Sequence, residues 1–140
     1  YPGIDLLVPQ IDFLEQIKDN LEAVIISHGH EDHAGAIAFF SEKIDCSIIN
    51  IHTIKPIDTK MIEEMSKKTK LFVSVEEHST IGGLGSAISE IKSTLENTPR
   101  QLFIGVPDQY KFSGSYKYLK EKYGLEAKSI ANKILNSYKE

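Results

Sequence analysis

Four short runs, Glu22–Ser27 (EAVIIS), Cys46–Ile51 (CSIINI), Leu71–Val75 (LFVSV) and Gln101–Val106 (QLFIGV), are β-branched and apolar at consecutive positions rather than at alternate ones. This feature constrains the fold more than any other. A strand with one wet face alternates apolar and polar residues, whereas a strand apolar on both faces needs cover on both, as parallel strands between two helical layers have. The intervening segments supply the cover: helices are predicted at about Ala34–Lys43, Asp58–Lys68, Gly83–Asn97, Ser115–Tyr123 and Glu126–Tyr138. In the third, Leu84, Ala87, Ile88, Ile91 and Leu95 recur every three or four residues as one apolar stripe. Asp58 stands where it caps the helix after Pro56. Ile4–Val8 (IDLLV) is a further candidate edge strand and Ile11–Asp19 a short helix. Alternating β and α elements predict a three-layer α/β/α sandwich with a mostly parallel sheet of four or five strands and right-handed crossovers.

With 140 residues the chain suits a single domain, residues 1–140, whose core does not depend on disulfides. Twenty acidic residues against sixteen Lys and Arg give a net charge of −4, which argues against a nucleic-acid partner. The lone cysteine, Cys46, sits in an apolar run as a small core residue does, and its isolation suits a reducing cytoplasm. No stretch approaches the ~20 apolar residues that span a bilayer, and no secretory signal pattern opens the chain, so no membrane is expected as a partner. The first residue is Tyr1 rather than Met, which reads as an internal start of something longer or of an engineered chain.

In a parallel sheet the loops after the strands gather along one edge, and ligands bind where the strand order reverses. These loops are His28–His33 (HGHEDH), Thr53–Asp58 (TIKPID), Glu76–Gly85 (EEHSTIGGLG) and Pro107–Gly114 (PDQYKFSG). The first places His28, His30, Asp32 and His33 within six residues. Neutral imidazole and carboxylate ligate zinc, and alternate residues leaving a strand can converge on one ion while the next two serve a second. The plainer reading is a set of solvated polar residues at a helix N-terminus, where Asp32 also favours the helix dipole. Partial binding of one zinc or nickel ion stands between the two.

Residues 1 to about 40, with YPGIDLLVP and IISHGHEDHAGAI, resemble the metallo-β-lactamase superfamily, in particular its ribonuclease J branch. The resemblance implies a two-zinc hydrolase with His28 and His30 on one ion, Asp32 and His33 on the other, and a bridging hydroxide that attacks phosphate. It also implies further ligands far downstream, where only His52 and His78 remain and neither stands in a matching motif.

Residues from about 45 to 140 resemble the C-terminal domain of transketolase, especially the C-terminal subunit of two-subunit transketolases. CSIINIHTIKPID, LFVSVEEHSTIGGLGSAISEI and FIGVPDQYKFSGS carry this resemblance. It implies five strands in the order 1-3-2-4-5 with strand 1 antiparallel, and a domain that packs against thiamine-binding domains and supports the dimer. Thiamine diphosphate is then not bound by this chain alone, and a homodimer or a partner thiamine-binding subunit is expected. Gly82, Gly83 and Gly85 form a candidate anion or ligand loop at a helix start; alternatively they only allow tight strand-to-helix packing, because no lysine follows to pair with a phosphate. Glu76, Glu77 and His78 read either as an acid and base set or as a carboxylate pair at a domain contact. Tyr110 and Phe112 beside Gly114 read as loop and interface packing. No catalytic residue is assigned.

The two resemblances imply a chimera with a junction near Phe40–Asp45, since both segments are interchangeable parallel βα units. In such a hybrid the HGHEDH and EEHST loops flank one switch point. His78, Glu76 or Glu77 would then face His28 or His30, and a third ligand from that loop would complete a tetrahedral zinc site with one water. The expected function is a transketolase-type assembly domain without self-sufficient thiamine catalysis; the alternative is an incomplete zinc phosphodiesterase.

Overall fold

β-Branched side chains are stiff at χ1 and pack well on a pleated surface, and the four apolar runs form the four strands found among the described residues. The structure is a computed structural model, and it describes residues 23–27, 46–109 and 112–139. Strands β1 (Ala23–Ser27), β2 (Cys46–Asn50), β3 (Leu71–Ser79) and β4 (Arg100–Val106) lie in the order β2-β1-β3-β4, all neighbours parallel. Four helices accompany them: α1 (Thr59–Ser66), α2 (Leu84–Lys92), α3 (Tyr116–Tyr123) and α4 (Ala127–Lys139). The expected strand at Ile4–Val8 and the expected helices at Ile11–Asp19 and Ala34–Lys43 lie outside the described residues.

Period-two alternation along β3 divides the core in two. Leu71, Val73 and Val75 face one way, where with Ile104 they meet Leu125, Ile130, Ala131 and Ile134 of the α4 region. Phe72 faces the other way, against Ile51, Ile62, Leu84 and Ile88 of the α1 and α2 layer. Apolar burial on both faces is the reason the strands read as continuous runs. Cys46 is half-buried and packed against the first cluster, as expected of a small apolar residue.

Local signals set the helix ends. Asp58 caps α1, its carboxyl accepting from the Met61 amide at 3.0 Å, and Ser115 caps α3 through the Tyr118 amide. Gly124, with φ +64°, closes α3 in the left-handed conformation. Helix α2 stops at Lys92, short of the expected Asn97. Ser93 and Thr94 hydroxyls donate to the Glu90 and Ile91 carbonyls there, and the last amides turn to i−3 acceptors.

The largest departure from the sequence reading is β3 itself. It runs to Ser79 rather than ending at Val75, so that Glu76, Glu77 and His78 belong to a strand and not to a loop. Val75 pairs with Ile104 and Ser79 with Val106, so four steps of β3 cover two of β4 in a bulge. The Thr80 amide donates to the Val106 carbonyl at 2.9 Å and fastens the end. Gly105 makes room, since a Cβ there would come within 2.9 Å of the His78 carbonyl oxygen. The described part of β1 ends at Ser27 opposite Val75, and β3 runs four residues further, toward the edge where ligands bind in such sheets.

Candidate functional site: the β3–α2 junction

Phe72, Ser74 and Glu76 share the α2 face of β3 by alternation, which aims the Glu76 carboxyl at the start of α2. There Gly83 is the N-cap residue and offers no side chain of its own. Glu76 takes that role from eight residues away: one carboxyl oxygen accepts from the Leu84 amide at 2.7 Å and the other from the Gly85 amide at 2.9 Å. Glu76 is 3% exposed, so these bonds are made out of water, at the end of the helix where negative charge is favoured. Glycine at position 83 is obligatory for this arrangement, because a Cβ there would lie 1.9 Å from a Glu76 carboxyl oxygen. Gly82, with φ +80°, supplies the turn, and its amide donates to the Ser86 hydroxyl at 2.8 Å.

The Gly82, Gly83, Gly85 loop is therefore an anion cradle already filled by the chain's own carboxyl. Of the two readings of this loop, these bonds favour tight strand-to-helix packing over a loop open to an outside ligand. Gly85 also packs tightly, a Cβ there falling 2.5 Å from the Phe103 ring and 2.7 Å from the Ser74 hydroxyl. Glu76 and Glu77 do not act as a pair, since neighbours on a strand point to opposite faces. Glu77 accepts from the Tyr116 hydroxyl at 2.6 Å, tying β3 to the first residue of α3. His78 is exposed, and its Nδ1 lies 3.0 Å from the Ser79 carbonyl oxygen. Glu76 has both oxygens engaged and is buried, which favours a structural role for it over the acid and base reading.

Beneath α2 lies a second polar cluster that the sequence reading did not single out. The Gln101 amide nitrogen donates to the Gly85 carbonyl at 2.9 Å, while its oxygen accepts from the Ser89 hydroxyl at 3.1 Å and from Lys92 at 3.4 Å. Lys92 is 8% exposed, its ammonium lies 5.3 Å from the Phe72 ring centre, and burial holds its pKa below the usual lysine range. The signal was present: Lys92 follows Leu84 and Ile88 at intervals of four, on the apolar stripe.

His28, His30, Asp32 and His33 lie outside the described residues, as does any meeting of His28 or His30 with His78. Among the described residues no three His, Cys, Asp or Glu side chains are grouped to hold a metal ion. The glycine-rich turn at residues 82–85 is occupied by the Glu76 carboxyl. No described helix is long and apolar enough to cross a membrane.

Residues 14–130 match the family described as "Transketolase, C-terminal domain". A putative transketolase C-terminal section of Methanocaldococcus jannaschii is 42% identical over 128 residues, covering 88% of this chain and 39% of the relative. The 1-deoxy-D-xylulose-5-phosphate synthase of Acinetobacter baumannii (strain AYE) is 36% identical over 97 residues, 68% of this chain and 15% of that enzyme. Among solved structures, a "Split gene transketolase, inactive beta4 tetramer" superposes with a TM-score of 0.74 at 30% identity, covering 88% of this chain and 41% of the other. The chain thus spans less than half the length of these relatives. The matched span runs through residues 40–45, where the two resemblances set a junction, and neither the fold nor these comparisons supports a metallo-β-lactamase segment or a chimeric origin. The matched span, the 42% identity to the Methanocaldococcus jannaschii relative and the shared fold together place the chain in the transketolase C-terminal domain family.

Proposed function

We propose that this chain is an assembly domain of a transketolase-type enzyme, working beside a thiamine-binding partner chain or further copies rather than catalysing by itself. The observation that carries this reading is the Glu76 carboxyl on the Leu84 and Gly85 amides: this chain's glycine-rich junction is consumed in holding β3 to α2. The structural neighbour is described as a β4 tetramer of a split-gene transketolase, which favours assembly as the role of such a domain. The single Cys46 remains the basis for proposing a cytoplasmic setting.

Calorimetric titration with thiamine diphosphate and magnesium, alongside a two-carbon ketol-transfer assay, tests this reading. The chain alone is expected to give no binding heat and no turnover; stoichiometric cofactor binding by the chain alone overturns it. Zinc at His28, His30, Asp32 and His33 is a separate proposal resting on ligand spacing. It calls for metal analysis of the wild-type protein beside His30→Ala, and equal metal content in the two rules it out.

A further inference from the structure

Strand β4 ends the described sheet on the side away from β1. The Val106 carbonyl accepts from the Thr80 amide at 2.9 Å, so Val106 faces β3, and by alternation Phe103 and Gly105 turn their amides and carbonyls outward. Among the described residues no strand lies on that side. An open edge of this kind is a template for pairing, which chains blunt with lysine, proline or a bulge. Arg100–Val106 (RQLFIGV) holds no lysine and no proline, the extra residues of the bulge belong to β3, and the one charge stands at the first position. Phe103, in the middle, is 39% exposed.

The strand's own sequence identifies what pairs there. Two copies of one strand meeting antiparallel about a two-fold axis must set outward-facing residues opposite outward-facing residues. An axis at Ile104 does so: Phe103 falls opposite Gly105 of the second copy, the two exchanging both backbone hydrogen bonds, and Leu102 falls opposite Val106. Carried two residues past the strand, the same register sets Arg100 opposite Asp108, and both are exposed. Opposite side chains share a face, so the Phe103 ring covers the bare Gly105 backbone and the Arg100 guanidinium meets the Asp108 carboxylate, each pair occurring twice. Arg100 donates one N–H to the Ser137 carbonyl and has others to give. An axis one residue earlier, at Phe103, sets Arg100 against Val106 and matches neither charge. An acid for the base and a glycine for the ring, both supplied by the same strand read backwards, select a second copy of this chain.

We propose that two copies of this chain join through their β4 edges, antiparallel about a two-fold axis at Ile104, into one continuous sheet. The proposal rests on the assembly reading above and names the surface that reading leaves open.

Sedimentation velocity of the purified full chain provides the test, with Phe103→Ser, Asp108→Arg, Arg100→Glu, the double variant carrying both charge reversals, and the control Lys60→Glu on α1. The wild type is expected to form a dimer. Phe103→Ser is expected to weaken it about tenfold or more and each single charge reversal severalfold, while the double variant returns toward the wild type and the control changes nothing. Hydrogen exchange at the Phe103 and Gly105 amides is expected to slow as the dimer forms. Circular dichroism confirms that each variant is folded, and Asp108→Arg stands in if Phe103→Ser is not. A wild type that stays monomeric gives the edge to a strand of another chain or to none and overturns the proposal, while the assembly reading still answers to the cofactor titration above. A dimer unchanged in folded Phe103→Ser and Asp108→Arg, or a double variant no better than the single ones, also overturns it. So do Phe103 and Gly105 amides that exchange equally fast in monomer and dimer.

Discussion

The β3–α2 and β4–α3 junctions solve the same geometric problem, a strand leading through a turn into a helix, in opposite ways. At β3–α2 the strand carries its own anion, the helix start carries glycines, and the two lock together out of water with Glu76 only 3% exposed. At β4–α3 the cap is a surface serine, no helix residue is buried, and the links back to the sheet include a phenol on an exposed edge and the half-buried Tyr123 packed against the first cluster. The difference shows where the domain spends its polar groups on itself and where it leaves aromatic and cationic groups exposed.

The most severe way to break this comparison is Gly83→Ala. The added Cβ must displace the Glu76 carboxyl, and a loss of about 3–5 kcal/mol in urea unfolding is expected. Glu76→Ala leaves two buried amides without acceptors, for about 2–4 kcal/mol. Glu76→Gln retains one accepting oxygen and turns the other position into a donor facing a donor, for about 1–3 kcal/mol. At the other junction Tyr116→Phe is expected to cost less than about 1 kcal/mol, in keeping with an exposed hydrogen bond. If Tyr116→Phe costs as much as Glu76→Gln, the two junctions are equally committed to the fold and the contrast fails.

The smallest effect concerns Lys92, beneath the closed junction. Burial lowers its pKa in the folded chain, so between the folded value and the usual lysine value of 10.5 the unfolded chain binds more protons. Stability contributed by this group therefore rises with pH across that window. Lys92→Met is expected to remove the rise, measured as the difference in unfolding midpoint between neutral and alkaline buffer; an unchanged pH slope would place the ammonium in water.

Much of the fold was legible because apolar continuity within strands and the three-to-four spacing of helices are local patterns. Asp58 and Ser115 announced helix starts for the same reason, each acting within three residues of itself. The length of β3 was not legible. Glu76, Glu77 and His78 are polar residues that read as loop, and only the bulge opposite Gly105 and the bond from Thr80 to Val106 keep them in a strand. The site was half legible: GGLG marked an anion cradle, but its anion lies eight residues upstream on a neighbouring element. An acid two steps beyond Ser74 on the α2 face, followed by a helix whose cap is glycine, was the available signal.

Gln101 has a mechanical consequence. Its single side chain grips α2 at Gly85, Ser89 and Lys92, a span of about two helical turns. A slip of α2 by one residue, about 1.5 Å along its axis, would forfeit all three grips together. The strand thereby indexes the helix like a pawl in a rack, holding α2 in register on β4.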